Sequence, residues 1–383
     1  MHRTFVLLGA FLALALAPGP AFHSCAAQQR TPKSRTVIKA ETKLVQLAVI
    51  VFDEKGAAAP ELKKSNFRVF DDGVEQEVRF FSHERVPVSL ALAVDDSESV
   101  THRLPFIRNA SATILAPYPD REAQARSGDE FAVFRFASRP TLVLDYTVEP
   151  WRKVKIEGED GVFPITHGKE SGTALFDTVY LAVTYSRMNA VNKQHTAVIL
   201  ITDGGDTHSR YSMKDVRGLL EESDVPVFSI IPPPAKIQQS LFDPMDHKRP
   251  KIEIGSSGRR DPFAIETDAD VIGPAERRGP GDLKQLADAS GGGVFTAAKD
   301  EDIPHIAYAL CKAIRFVYLL EYVPSGLGAV KRPPDWDGRH KIKLELTPSD
   351  QFHGYATYFK RAYSERHTAL VANDSPPPPL SHP

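Results

Sequence analysis

The 383-residue chain predicts an α/β fold: a doubly wound, mainly parallel sheet flanked by an antiparallel β-sandwich that the N- and C-terminal segments build together. Three observations carry this. Two apolar runs, Val88-Ser-Leu-Ala-Leu-Ala-Val-Asp95 and Val198-Ile-Leu-Ile-Thr202-Asp203, are continuous rather than alternating and end in Asp, as strands buried on both faces do where they hand over to a loop. Around them, strand-like runs alternate with segments of helical period, the order that produces a parallel sheet with helices on both faces. Over 36–85 and 317–363, on either side of that region, the pattern is β alone.

Residues 1–27 read as a signal peptide: Arg3, an apolar run from Phe5 to Ala17, a Pro-Gly-Pro break and Cys25-Ala-Ala27 before the cut. The run of about 13 residues is shorter than the ~20 a spanning helix needs, so cleavage and export to the periplasm or the exterior are expected. Cys25 also admits a lipoprotein, but Phe22-His-Ser-Cys25 lacks the aliphatic residue usual three places before the Cys. After cleavage Cys311 is the remaining cysteine, so stability has to come from burial and not from an intrachain disulfide. The mature chain shows no further span. With 47 basic and 49 acidic residues there is no global field to attract nucleic acid or an anionic membrane.

A linker over 28–35 leads into a β segment over 36–85, with strands at Leu44–Phe52, Phe67–Phe70 and Val78–Phe81 and turns at Asp53-Glu-Lys-Gly56 and Asp71-Asp72-Gly73. About fifty residues without a disulfide rarely stand alone. The domain over 86–316 starts with the Val88–Asp95 strand and a helix on which Leu104, Ile107, Ala110 or Ser111 and Ile114 share a face. A hairpin of Glu130–Phe136 and Thr141–Tyr146 follows, joined by Ala-Ser-Arg-Pro. Next come a helix with Phe176, Val179, Tyr180 and Val183 on one stripe, the strand His195–Thr202, a helix over Met213–Glu222 and the strand Val225–Ile231. Residues 232–280 form a Pro- and charge-rich insertion far longer than ordinary loops, expected to be disordered and to leave the carboxyl edge of the sheet. Leu283–Ala289, Val294-Phe-Thr and a helix over Ile303–Ile314 close the domain. The 317–363 segment is β again, with strands at Phe316–Tyr322, Lys341–Leu346 and His353–Phe359, and 364–383 is a Pro-rich tail. The front segment has room for about four strands and the back segment for about three, together about seven, the size of a β-sandwich.

The chemistry concentrates where the two Asp-terminated strands end. Asp95, Ser97 and Ser99 alternate after the first. Thr173 stands in Ser171-Gly172-Thr173 before a helix, and Asp203 follows Thr202 after the second strand. Parallel neighbours would bring Asp95 and Asp203 together at the carboxyl edge, where open α/β sheets place their ligands. Two carboxylates and three hydroxyls suit a hard cation such as Mg²⁺. This three-part pattern resembles the metal-ion-dependent adhesion site of von Willebrand factor type A domains, the integrin I-like fold. From Val37 to Tyr363 the chain resembles the secreted bacterial proteins of the von Willebrand A-related kind.

The resemblance implies Mg²⁺ or Mn²⁺ held by Asp95, Ser97, Ser99, Thr173 and Asp203, and a protein partner whose exposed carboxylate completes the ion's shell. It implies a secreted or envelope-associated binding protein and no enzyme. Position 98 departs from the family: Glu stands where a small residue is usual. Rival readings are a metal-assisted hydrolase with Glu98 as base and an envelope component whose metal only stabilises loops. A phosphatase would want a carboxylate where Ser97 stands, and Gly255-Ser-Ser-Gly258 is no nucleophile elbow. His102, His167 and His208 fall on loops near the same edge without a metal-binding spacing, and Cys311 reads as a buried small apolar residue.

Overall fold

Ser89–Asp95 (β5) is buried along its whole length and is the axis of the larger sheet. The computed structural model describes residues 44–53, 62–116, 127–153, 171–233, 274–299, 302–347 and 355–364. The signal peptide, the linker, the tail from 365, His167 and residues 234–273 of the insertion lie outside the described residues. β5 pairs in parallel with β6 (Glu130–Phe136) on one side and β8 (Thr196–Ile201) on the other. β6 turns back into the antiparallel β7 (Pro140–Thr147), while β9 (Val227–Ile231) and β10 (Val294–Thr296) extend the parallel side beyond β8. The order is therefore β10-β9-β8-β5-β6-β7.

Strand alternation sends successive β5 side chains to opposite faces. Leu90, Leu92 and Val94 cluster with Leu104, Ile107 and Ile114 of α1 (Leu104–Leu115) and with Ile303, Leu310 and Ile314 of α5 (Ile303–Arg315). Ala91 and Ala93 cluster with Val179 and Val183 of α2 (Leu175–Asn189), Val216 and Leu220 of α3 (Met213–Glu222), and Leu283 and Leu286 of α4 (Pro274–Ser290). The sheet is doubly wound. Cys311 belongs to the first cluster, and burial pushes its thiol pKa up, as suits a packing residue.

The chain ends build two four-stranded antiparallel sheets. One has the order β13 (Tyr355–Tyr358), β1 (Val45–Asp53), β11 (Tyr318–Tyr322), β4 (Val78–His83); the other is β14 (Ala362–Ser364), β12 (Arg339–Leu346), β2 (Phe67–Asp71), β3 (Val74–Gln76). Each sheet interleaves strands from both ends of the chain. Val45, Leu47, Val49 and Val51 of β1 fill the core between the sheets with Phe67, Val69 and Leu320. Ile50 and Phe52, on the other face of the same strand, join the α/β core instead. There the Phe52 ring meets Phe295 and Tyr358 edge-on, at 5.4 and 5.7 Å. Gly293 permits that contact, since a Cβ at this position would lie 2.2 Å from the Tyr358 ring. All described residues belong to one compact unit.

The two crossings between sandwich and α/β domain are pinned together. Arg315, 1% exposed, donates from Nε to Asp129 Oδ2 at 2.7 Å, and Arg85 donates from Nη2 to the same oxygen at 2.8 Å. Val86 N donates to Arg315 O at 3.0 Å. A buried carboxylate thus receives two guanidinium groups, one from the segment entering the domain and one from the helix leaving it.

Three expectations need correction. The sandwich has eight strands rather than seven, because β14 adds a fourth to the C-terminal set and takes in Ser364, expected in the tail. The stretch from Pro274 to Gly281, expected to belong to the insertion or its border, is the start of α4. Pro280 lies inside that helix. The breakers Gly279, Pro280 and Gly281 argue for a loop locally, but Gly279 packs on the loop after β8, and that tertiary contact prevails.

Candidate metal centre

The sheet order reverses between β5 and β8: the chain runs outward from β5 through β6 to β7, then returns to the far side of β5. Such a reversal opens a crevice at the carboxyl ends of the two strands. The register pairs Val94 with Ile201, so Asp95 and Thr202 emerge side by side. Thr202 Oγ1 donates to Asp95 Oδ2 at 2.6 Å and accepts from Gly204 N at 3.0 Å. Ser97 N donates to Asp95 Oδ1 at 2.9 Å, closing a turn of the kind Asp makes with the backbone two residues on. That turn sets Ser97 Oγ and Ser99 Oγ 3.0 Å apart. Asp96 N donates to Phe136 O, tying the loop to the end of β6.

Thr173 arrives from the other side. Ala174 N donates to Ala137 O at 2.7 Å, just past β6. Thr173 N donates to Thr207 Oγ1 at 2.9 Å, and Thr173 O accepts from Thr207 N and His208 N. Asp177 accepts from Arg210 N and Tyr211 N at 2.8 and 2.9 Å. The loop carrying Asp203 is therefore stapled to the segment carrying Thr173 and to the first turn of α2. Gly204 has φ +88°, and a Cβ there would stand 2.5 Å from Gly279 O. The Asp203 loop and α4 touch backbone to backbone.

The structure places the oxygens of Asp95, Ser97 and Ser99 on one loop and brings the loops of Thr173 and Asp203 beside it, all at one sheet edge. Asp95 is 0% exposed, and its carboxyl is pushed up to about 7, first by burial and then by the negative charge of Asp203. A cation held beside the two carboxylates would offset that penalty. The donor set fits one, being all oxygen, with two charges and three hydroxyls, as hard divalent ions prefer. Arg103, at the end of the turn after Ser99, donates from Nη1 to Asp203 Oδ2 at 3.3 Å. Glu98 is exposed. His208 Nδ1 lies 2.9 Å from Thr207 Oγ1, within the loop.

Sequence reasoning did not assign Thr202 or Arg103 to the site. Thr202 had a visible signal, a hydroxyl directly before the Asp at the end of a buried strand. Arg103 had none, because its reach depends on the 3-10 turn over Glu98–Arg103.

No protein-family model matches the chain, and no curated protein matches it. Solved structures do. The chain is similar to proximal thread matrix protein 1 from the mussel byssus, at 14% identity and a TM-score of 0.36, over 64% of this chain and 51% of that one. It thus spans about half the length of the mussel protein. One structure of that protein is described with a zinc-occupied MIDAS motif. The chain is also similar to conserved hypothetical protein BatB from Bacteroides thetaiotaomicron, at 15% identity and a TM-score of 0.35 over 59% of this chain and 98% of that one. A von Willebrand factor type A protein from Catenulispora acidiphila matches at 10% identity and a TM-score of 0.38, over 85% of this chain and 76% of that one. Likeness at this level assigns no residue; the placements above rest on geometry. Among the described residues, no helix is long and apolar enough to cross a membrane.

Proposed function

We propose that this is an exported, non-enzymatic binding protein in which Asp95, Ser97, Ser99, Thr173 and Asp203 hold Mg²⁺ or Mn²⁺ and through it engage an acidic group of a protein partner. The observation that carries this is the buried Asp95 beside Asp203 at the sheet's switch point, where burial and then the negative charge of Asp203 raise its pKa to about 7. The ion would supply a Lewis-acidic position that a partner's carboxylate can fill. The chain's own residues do the rest. Thr202 and the Ser97 amide fix the Asp95 carboxylate, and the hydroxyls contribute neutral oxygens that leave the ion electron-poor. The Thr207–Thr173 bonds keep the second and third loops in register. Export is supported by the N-terminal pattern of Arg3, the apolar run and Cys25-Ala-Ala27.

Calorimetric titration of the metal-free protein with Mg²⁺ tests the metal, with Asp95→Ala and Asp203→Ala as controls. One ion per chain, lost in both variants, supports the reading; equal binding by Asp203→Ala overturns it. A Mg²⁺-dependent pull-down from envelope extract, compared with Asp203→Ala, tests the partner. Mg²⁺-dependent turnover of an ester or phosphoester that Glu98→Gln abolishes would overturn the non-enzymatic part.

A further inference from the structure

A second cluster lies in the sandwich, built from both ends of the chain. Asp71 closes β2 and Asp72 opens the turn to β3 with φ +47°, a left-handed conformation that Asp tolerates. β2 pairs with β12, which carries His340, and the register sets His340 opposite Tyr363 of β14. Asp71 is 0% exposed and His340 2%. Asp71 Oδ2 accepts from Tyr322 OH at 3.0 Å and Tyr363 OH at 2.7 Å.

The other oxygen of Asp71 differs. Oδ1 is buried and has no hydrogen-bond partner, and it lies 3.5 Å from His340 Nδ1. His340 Nδ1 is in turn 2.9 Å from Asp72 Oδ2. Asp72 Oδ1 accepts from Lys341 N at 2.8 Å, and Oδ2 from Arg332 Nη1 at 2.7 Å. One ligand atom from each of Asp71, Asp72 and His340 lies within 4.8 Å of the others. The ring of His340 is held by stacking on Tyr363, 4.7 Å away at 10°, and by the edge of Trp336 at 5.4 Å.

A buried carboxylate oxygen without a hydrogen bond is costly. Here it points at an imidazole nitrogen that already faces a second carboxylate. The two phenols on Asp71 Oδ2, and Arg332 and the Lys341 amide on Asp72, orient the carboxylates as outer-shell partners orient metal ligands. We propose that Asp71, Asp72 and His340 form a site for a divalent transition metal of the Zn²⁺ class. One nitrogen and two carboxylate oxygens select such an ion, whereas the all-oxygen set at Asp95 selects a hard one. The ion enters between His340 Nδ1 and the two carboxylates, supplies the missing partner of Asp71 Oδ1, and shares Asp72 with Arg332, whose guanidinium lies 3.7 Å over the Trp336 ring. It joins a carboxylate pair from the front of the chain to a histidine from the back, and so closes the sandwich across the inserted domain. This does not depend on the reading of the Asp95 centre.

The test uses the full chain carrying Asp203→Ala, which silences the other centre, stripped with chelator and titrated with Zn²⁺ and with Co²⁺. The expected result is one ion per chain and a visible Co²⁺ absorption of nitrogen-containing, low-coordinate type, abolished by one equivalent of Zn²⁺. Adding His340→Gln weakens Zn²⁺ binding by more than about 100-fold, beyond the roughly 10–100-fold expected for an outer-shell partner. Asp71→Asn, which retains an acceptor for the two phenols, does the same and stands in if His340→Gln does not fold. No Zn²⁺ bound by the Asp203→Ala protein overturns the proposal and leaves a hydrogen-bonded network only. Unchanged affinity in either ligand variant overturns it as well, by placing the ion elsewhere.

Discussion

Arg103 Nη1 donates to Asp203 Oδ2 at 3.3 Å, so a side-chain cation already leans on a carboxylate proposed to hold a metal cation. The two compete for one oxygen. The pair is partly exposed, which limits its worth to about 1 kcal/mol. Arg103→Gln is therefore expected to tighten Mg²⁺ binding by about fivefold in calorimetry. An unchanged Kd would mean that Arg103 leaves Asp203 without resistance.

Thr202 is buried between Asp95 and the Gly204 amide, donating to one and accepting from the other. Thr202→Val keeps the shape and removes both bonds. Mg²⁺ affinity should fall by about 10–100-fold, the usual effect of losing an outer-shell partner. Comparison with Asp95→Ala, expected to bind no Mg²⁺ detectably, separates orientation of the carboxylate from its presence.

Gly279→Ala pushes a methyl group into the backbone at Asp203 O, 2.4 Å from the new Cβ. Relief requires moving α4 or the Asp203 loop. A loss of about 1–3 kcal/mol in stability is expected, as for other overpacked sites, together with weaker Mg²⁺ binding. Gly281→Ala, whose Cβ would meet nothing within 4 Å, is the matched control. Urea unfolding and the Mg²⁺ titration read the two effects.

Asp129→Asn strips the charge that Arg315 and Arg85 share. Arg315 would remain buried without its counter-ion, and such losses cost about 3–5 kcal/mol. Arg85→Met leaves the buried pair intact and should cost clearly less. Equal midpoints for both variants in urea would contradict the ranking.

The sandwich core draws on both ends of the chain, with Val49 and Val69 from the front and Leu320 and Ile342 from the back. Neither 44–85 nor 317–364 expressed alone should give a cooperative transition or dispersed amide signals. A segment that folds by itself would contradict the interleaved sheets.

Legibility varied with how local the cause was. β5 and β8 were readable because an unbroken apolar run ending in Asp has few other solutions, and the Ala-Ser-Arg-Pro turn announced the β6–β7 hairpin. The proposed metal set of Asp95, Ser97, Ser99, Thr173 and Asp203 could be put forward from three short patterns in order. β14 was not, since Ala-Tyr-Ser is too short to show alternation and exists by pairing with Arg339–Lys341. The first turns of α4 were hidden behind Gly279, Pro280 and Gly281, whose local preference yields to packing against Asp203 and Gly204. Asp71 and His340 stand far apart in sequence with no spacing to link them; only the β2–β12 pairing makes them neighbours.

β4 and β11 are adjacent antiparallel strands, with His83 opposite Tyr318, so the entire α/β domain occupies the position of a hairpin turn. A flexible loop of that length would have to be closed against its own entropy, a cost that grows slowly but steadily with length. Here the insert folds, and the Val86–Arg315 hydrogen bond holds its two ends at the spacing the strands require. The folded domain is its own loop closure, so folding of the insert lowers the entropic cost of assembling the sandwich.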